Sequence, residues 1–349
     1  IWPALHDRLS YCSEDEGTLG PAIRCFAPVL GPDGRAMGAV VQATRTLTFI
    51  GIKQGMLTGD GVDCVGQLDC DPLGVTPDDA ISPAAWRIDY PLLSTQLTPR
   101  QHASHKGSYG KVLLVGGNVG MQGAIVLAGL ACLRAGAGLV RVCQHPSHGS
   151  VSLYQAELMN TQADADECWA SVRLVGPGLG QDAWGRRHFE SLVNEGTRLV
   201  LDADGLNWLA LCPRHQDNWV LTPHPGEAAR LLGCSIAEIA ADRFAAVRRL
   251  QHVFGGVVLL KGAGTLICDG KGIALCDEGN PGMASGGMGD LLSGIIAALL
   301  AQGWSAGMAA RLGAVIHAEA ADLAAAEGER GMLASDLLPW IRRLVNPTP

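Results

Sequence analysis

From Lys111 onward the chain repeats one unit: a short apolar run, a glycine-bearing loop, then an amphipathic segment. Lys111 to Val115 (KVLLV) reads as a buried strand, and Leu139 to Val142, Val172 to Val175, Arg198 to Leu201, Trp219 to Leu221 and Val257 to Leu260 read as further strands. Helices are expected over Ala124 to Ala135, from the GPGLG loop to Glu195, from TPHPGE to Leu232, and after Gly289, Ser305 and Ser335. Ser235 starts a longer helix with Ile236, Ile239, Phe244, Val247 and Leu250 on one face, and Thr265 to Cys268 pairs with Ile273 to Leu275 as a hairpin across DGKG. Strands alternating with helices give an α/β fold with a doubly wound, largely parallel sheet. Ligands of such sheets gather at the carboxyl ends of the strands. Here every strand-end loop carries glycine or a polar group: GGNVG, GPGLG, DADGLN, TPHPGE and KGAGT. One site on one edge follows.

The stretch from Asn280 to Gly303 gives that site its chemistry. Its first half holds Gly282, Gly286, Gly287 and Gly289, with little bulk to keep a ligand off the backbone. In its second half Leu291, Leu292, Ile295, Ile296, Leu299 and Leu300 mark one face of a buried helix. A glycine loop running into a helix start presents free N–H groups and the positive end of the dipole, which suits phosphate. Asp290 sits where loop becomes helix, and the dipole is expected to hold it ionised. Beside a phosphate cradle it reads as a general base that deprotonates a hydroxyl for phosphoryl transfer. A plain cap of the helix by Asp290 is the structural alternative.

The other loops carry weaker signals. GGNVGMQG (Gly116 to Gly123) does not fit GxGxxG and lacks the acidic residue a dinucleotide site needs, so close backbone approach and a packing turn stay equally open. PHPGE fixes His224 between two prolines and puts Glu227 at a helix start. Asp202 and Asp204, two apart at a strand end, point to opposite faces if extended, which is poor for a paired acid and base. One of them could take Mg2+ through water, or both could belong to a turn with Asn207 as a helix cap. KGAGT offers a cation, flexible N–H groups and a hydroxyl, but it is not a Walker A loop. No Cys/His cluster has metal-ligand spacing, and no GxSxG elbow is present.

Composition narrows the partners. At 349 residues the chain suffices for one large domain or two, and a formal net charge of −8 argues against a nucleic-acid surface. Eleven scattered cysteines without a CxxC pair suggest reduced thiols in a cytoplasmic protein. The longest apolar run, Ser293 to Ala301, is too short to cross a membrane, and no signal peptide is visible. The chain opens at Ile1 rather than Met, which suggests a fragment or an unusual start. Residues 1 to about 80 are rich in Gly and Pro with one convincing strand, Thr46 to Ile50, and Pro77, Asp78, Asp79, Ser82 and Pro83 look like a linker.

Taken in order, HKGSYGKVLLVGG, AGAGLVRV, GPGLG, DADGLN, TPHPGEAARLLG, KGAGT and NPGMASGGMGDLLSGIIAALLAQG resemble the ADP-dependent (S)-NAD(P)H-hydrate dehydratases over about residues 95 to 345. The resemblance implies a ribokinase-like fold and a lyase, a hydro-lyase of nicotinamide cofactor repair. Such an enzyme removes water from NAD(P)H hydrated at C6, consuming ADP and releasing AMP and phosphate, with Mg2+ as the expected ion. It matches Lys261, Gly262, Ala263, Gly264, Thr265 and Gly289 to nucleotide contacts, and Ala124, Gly180, His224 and Asp290 to hydrated-cofactor contacts. It also implies a homo-oligomer with no nucleic-acid or membrane partner. TLTFIGIKQGMLTGDG and VGQLDCDPLG, within residues 36 to 75, resemble the tail of the epimerase domain fused to bacterial dehydratases. No NNxGDG-type loop or VDxPSG segment accompanies them, so residues 1–80 are expected to be an inactive epimerase-like remnant and residues 81–349 the dehydratase domain. The alternatives are a small-molecule kinase on the same fold and a nucleotide-sensing protein without turnover.

Overall fold

The computed structural model describes residues 11–17, 20–26, 34–36, 40, 42–75, 82–162, 169–193, 196 and 198–346. Ahead of the main sheet, β1 (Tyr11–Gly17) and β2 (Gly20–Phe26) form an antiparallel hairpin. Then β3 (Arg45–Phe49) pairs in parallel with β4 (Gln67–Asp71), joined through a short helix at Gly61–Val65. Among the described residues of the first 80 there are thus four strands where one was expected. QLDCD has a single large apolar residue, so its strand comes from pairing with β3 rather than from its own pattern. Of the expected linker, Pro77, Asp78 and Asp79 lie outside the described residues, while Ser82 and Pro83 lead into β5 (Trp86–Ile88).

The main sheet continues with β6 (Lys111–Val115), β7 (Leu139–Cys143), β8 (Leu158–Asn160), β9 (Val172–Val175), β10 (Leu199–Leu201), β11 (Trp219–Leu221), β12 (Val257–Leu260), β13 (Thr265–Cys268) and β14 (Ile273–Cys276). Its ten strands lie in the order β5-β14-β13-β12-β11-β10-β9-β6-β7-β8. Only β13 runs against its neighbours, as the outgoing half of the expected hairpin. Strand order reverses beside β6, between β9 and β7, which is where a crevice opens in sheets of this kind.

Alternation along each strand feeds two cores. Val112 and Leu114 face one, Leu113 and Val115 the other, and all four are fully buried. Helices Gln122–Arg134, Met288–Ala301, Ala306–Ala324 and Leu337–Leu344 cover the first face. Helices Ala183–Leu192, Asp204–Leu211, Pro225–Leu232, Ile236–Ala241 and Arg243–Phe254 cover the second. Sheets covered on both faces need near-continuous apolar strands, and that is what the sequence supplies. Small residues let helices meet closely: a methyl group at Gly294 would fall 2.2 Å from the Ala128 carbonyl. Most alanines of Ala306–Ala324, including Ala309, Ala310, Ala320 and Ala321, are buried within this chain.

Two helix boundaries differ from expectation. The helix from Ser235 is two helices, because the Asp242 carboxylate accepts the Ala245 N–H at 2.8 Å and restarts the chain there. Ile239, Phe244, Val247 and Leu250 are buried as expected, but Ile236 is 57% exposed. The helix after GPGLG ends at Leu192, and Glu195 lies outside the described residues. Cys64, Cys70, Cys132, Cys143, Cys212, Cys234, Cys268 and Cys276 are free, and five of these are buried. Among the described residues no helix is long and apolar enough to cross a membrane.

Candidate active site

The parallel strands deliver their carboxyl-end loops to one edge, and β10 supplies the anchor. Ala203 takes φ +47, a left-handed conformation that costs about 1–2 kcal/mol outside glycine. That turn separates its flanking acids. Asp202 stays on the strand end, 1% exposed, while Asp204 opens the next helix and accepts the Gly180 N–H at 2.8 Å. Asn207 does not cap that helix; its amide donates to Asp204 at 3.0 Å.

Asp202 gathers groups from two further strand ends, those of β11 and β12. Its Oδ1 accepts the Thr222 hydroxyl at 2.9 Å and Lys261 Nζ at 2.8 Å. Lys261 Nζ also stands 3.9 Å from Glu227 Oε2, and its own N–H donates to Pro223 O at 2.9 Å. In the PHPGE turn His224 and Glu227 cap one another. His224 Nδ1 accepts the Gly226 N–H at 3.0 Å, Glu227 Oε2 accepts the His224 N–H at 2.8 Å, and His224 Nε2 lies 3.3 Å from Glu227 Oε1. The geometry calls for a neutral imidazole carrying its proton on Nε2. Burial first, then Lys261, lowers the His224 pKa in the same sense.

The glycine loop closes over this pair. The helix starts at Gly287, φ +93, where no side chain caps it and a methyl group would fall 2.5 Å from Leu127. Asp290 is therefore a first-turn residue, not the cap. A Cβ on Gly289 would sit 3.2 Å from Lys261 Nζ, so the absence of a side chain lets the helix start lie against the ammonium.

The electrostatics correct one expectation. Asp290 is not held ionised by the dipole: burial, then Asp202, with Lys261 opposing, push it up to about 7. A helix dipole supplies roughly 0.3–1 kcal/mol, less than one pKa unit at about 1.4 kcal/mol, and burial wins. Burial also pushes Glu227 up to about 7, against Lys261 and with Asp202. Lys261 stays above the usual lysine range because Asp202 and Glu227 offset its desolvation. Glu227 and Asp290 face the same Lys261 and Asp202, and Glu227 adds to the rise of Asp290, so their titrations depend on one another.

These raised carboxylates fix a pH dependence of stability. Each keeps its proton longer folded than unfolded, so their contribution is full below about 4 and is lost as pH rises through about 7. Asp290→Asn removes one such group. Its melting temperature should fall less between pH 5 and pH 8 than that of the wild type, and equal falls would contradict the raised pKa.

The residues matched from sequence come together in two groups. Lys261 and Gly289 meet directly, and His224 joins them through Glu227. Across the reversal point, Gly178 of GPGLG packs on Ala124, 3.3 Å from its Cβ to a Cβ built at the glycine. Gly180, φ +76, is tied up internally, since its N–H goes to Asp204 and its carbonyl accepts Trp208 Nε1 at 2.9 Å. Gly180 is itself buried, and a Cβ there would fall 2.5 Å from Asn118 Nδ2. Thr265 turns its hydroxyl to Gly262 O at 3.1 Å, closing its own loop. Within TPHPGE no pattern singles out Thr222, and none points to Arg243, which faces the KGAGT carbonyls. Among the described residues no three His, Cys, Asp or Glu side chains stand together as metal ligands.

A family model described as NAD(P)H-hydrate dehydratase matches residues 112–343. The bifunctional NAD(P)H-hydrate repair enzyme of Escherichia coli (strain K12) is 46% identical over 330 residues, covering 91% of this chain and 64% of that protein. The chain thus spans just under two thirds of the length of that relative. The ADP-dependent (S)-NAD(P)H-hydrate dehydratase of Neisseria meningitidis serogroup B is 40% identical over 262 residues, 71% of this chain and 88% of its own. A solved ADP/ATP-dependent NAD(P)H-hydrate dehydratase from Bacillus subtilis, co-crystallised with ATP and Mg2+, superposes with a TM-score of 0.67 at 25% identity, over 75% of this chain and 98% of its own. Sheet, site edge and matched sequence agree: the chain belongs to the NAD(P)H-hydrate dehydratase family, on a ribokinase-like fold.

Proposed function

We propose that this chain dehydrates the S epimer of hydrated NADH or NADPH, consuming ADP and releasing AMP and phosphate. The observation that supports this most is Asp290, a carboxylate with pKa about 7 at a glycine-loop helix start, beside Lys261. A base poised near neutrality can take a hydroxyl proton and still be ionised in the cell's pH range. In this reading Asp290 accepts the proton of the C6 hydroxyl, whose oxygen forms a bond to the β-phosphorus of ADP as the bond to AMP breaks. N–H groups of the Gly286–Gly289 loop, with Lys261, stabilise the transferring phosphoryl group. The C6–O bond then breaks, the ring nitrogen supplying the electron pair, and phosphate leaves with the original hydroxyl oxygen. Loss of a C5 proton to the departing phosphate then restores the C5=C6 double bond of NAD(P)H.

Mg2+ fits this site as an ion carried on the ADP phosphates. Without a three-ligand cluster among the described residues, the Asp202 and Glu227 carboxylates would hold its waters. Bound there it would neutralise phosphate charge. Lys261, Gly262, Ala263, Gly264, Thr265 and Gly289 serve the nucleotide in this reading, and Ala124, Gly180, His224 and Asp290 the hydrated cofactor. The cytoplasmic setting and the homo-oligomer implied by the resemblance belong to the same proposal. Product analysis with ADP tests it: NAD(P)H, AMP and phosphate support dehydration, whereas a stable phosphate ester would identify a kinase.

Residues 1–80 are proposed to be an epimerase-like remnant ahead of the dehydratase domain at 81–349. Pure R hydrate supplied with ADP should then turn over no faster than it epimerises spontaneously. Rapid consumption of R hydrate would show an active epimerase.

A further inference from the structure

Behind the KGAGT loop lies a cation that no ion pair among the described residues explains. Arg243, first residue of the Arg243–Phe254 helix, is 6% exposed. Burial alone lowers its guanidinium to about 10, and no neighbouring carboxylate contributes. A buried charge is costly unless hydrogen-bonded, and among the described residues its bonds go to the KGAGT loop and the strand end that leads into it. Nη1 donates to Ala263 O, and Nη2 to Lys261 O at 3.3 Å and Leu260 O at 3.5 Å. Gly262, φ +137, passes so close that a Cβ would stand 2.9 Å from Nη2.

These bonds fix which way the loop faces. A trans peptide is planar, with its N–H opposite its carbonyl. Turning the Lys261 and Ala263 carbonyls to Arg243 turns the Gly262 and Gly264 N–H groups away from that helix. The loop cannot relax on its other side, because a Cβ on Gly264 would fall 1.9 Å from the Leu57 carbonyl and 2.9 Å from Thr58. Arg243 and the Leu57–Thr58 turn therefore grip the loop from two directions.

We infer that Arg243 is a positioning residue for the nucleotide: it orients the peptide planes of Lys261 to Thr265 so that their N–H groups meet ADP, without touching ADP itself. This rests on the assignment of that loop to the nucleotide. Lysine keeps the charge but not the fork that reaches several carbonyls at once, and methionine keeps bulk alone. R243K and R243M should each weaken AMP binding in calorimetry by about tenfold or more, given the strength of charged hydrogen bonds. KM for ADP should rise by the same factor, while kcat at saturating ADP stays within about threefold, since Asp290 is untouched. If R243M does not fold, R243K decides alone. R243K that binds AMP like the wild type, loses kcat at unchanged KM, or no longer folds would overturn the inference and leave the nucleotide assignment standing. A wild-type protein that binds no AMP would overturn both.

Discussion

Asp290→Asn is expected to lower turnover by roughly 10²–10⁴, the usual loss on removing a general base. AMP affinity should stay the same or rise slightly, because one carboxylate near the phosphate site is gone while the glycine backbone and Lys261 remain. The fold should lose little. The Asp290 helix is not capped by any side chain, and an amide relieves the crowding of Asp202, Glu227 and Asp290 around one ammonium. In the wild type, turnover should rise with pH through about 7 as Asp290 ionises. The Asn variant should lack that rise. Retained activity in the variant, with a melting temperature lowered in Asp290→Ala, would instead assign the residue a structural task.

Lys261→Met should have the largest effect on stability. It removes the ammonium that contacts Asp202 at 2.8 Å and faces Glu227 at 3.9 Å. Breaking a buried pair on one side costs about 3–5 kcal/mol. The 20% exposure of the lysine side chain places this one toward the lower end. The loss should depend on pH. Without Lys261, Glu227 and Asp290 rise further, so protonation relieves the repulsion, and urea unfolding should show a smaller deficit at pH 5.5 than at pH 8. Turnover should vanish in either case. An equal deficit at both pH values would mean that the acids do not share the lysine's field.

The sequence revealed what depends on local pattern. Strands such as KVLLV and VVLL announced themselves because both sheet faces are buried, and the strand-end loops marked the working edge because glycines there serve no strand. Asp290, His224 and KGAGT were found on that basis. What depends on distance in the chain stayed hidden. Asp202 and Lys261 are 59 residues apart, and nothing local pairs them. Thr222 reads as an ordinary strand-end residue until Asp202 is placed beside it. Arg243 falls in a run that looks like a solvated helix face, yet its side chain turns inward to carbonyls. The ionisation of Asp290 is not legible in the sequence for a related reason. The dipole is visible in a sequence, but the burial and the neighbouring acids that outweigh it exist only in the fold.

The central claim is that the C6 hydroxyl of the hydrate, rather than water, receives the phosphoryl group. Its most direct test uses NADH hydrated in 18O-labelled water, supplied with unlabelled ADP in ordinary water, with mass analysis of the released phosphate. The account predicts one labelled oxygen per phosphate, formed in step with NADH and AMP. Unlabelled phosphate formed alongside NADH would contradict it, because the hydroxyl would then leave as water while ADP was hydrolysed separately.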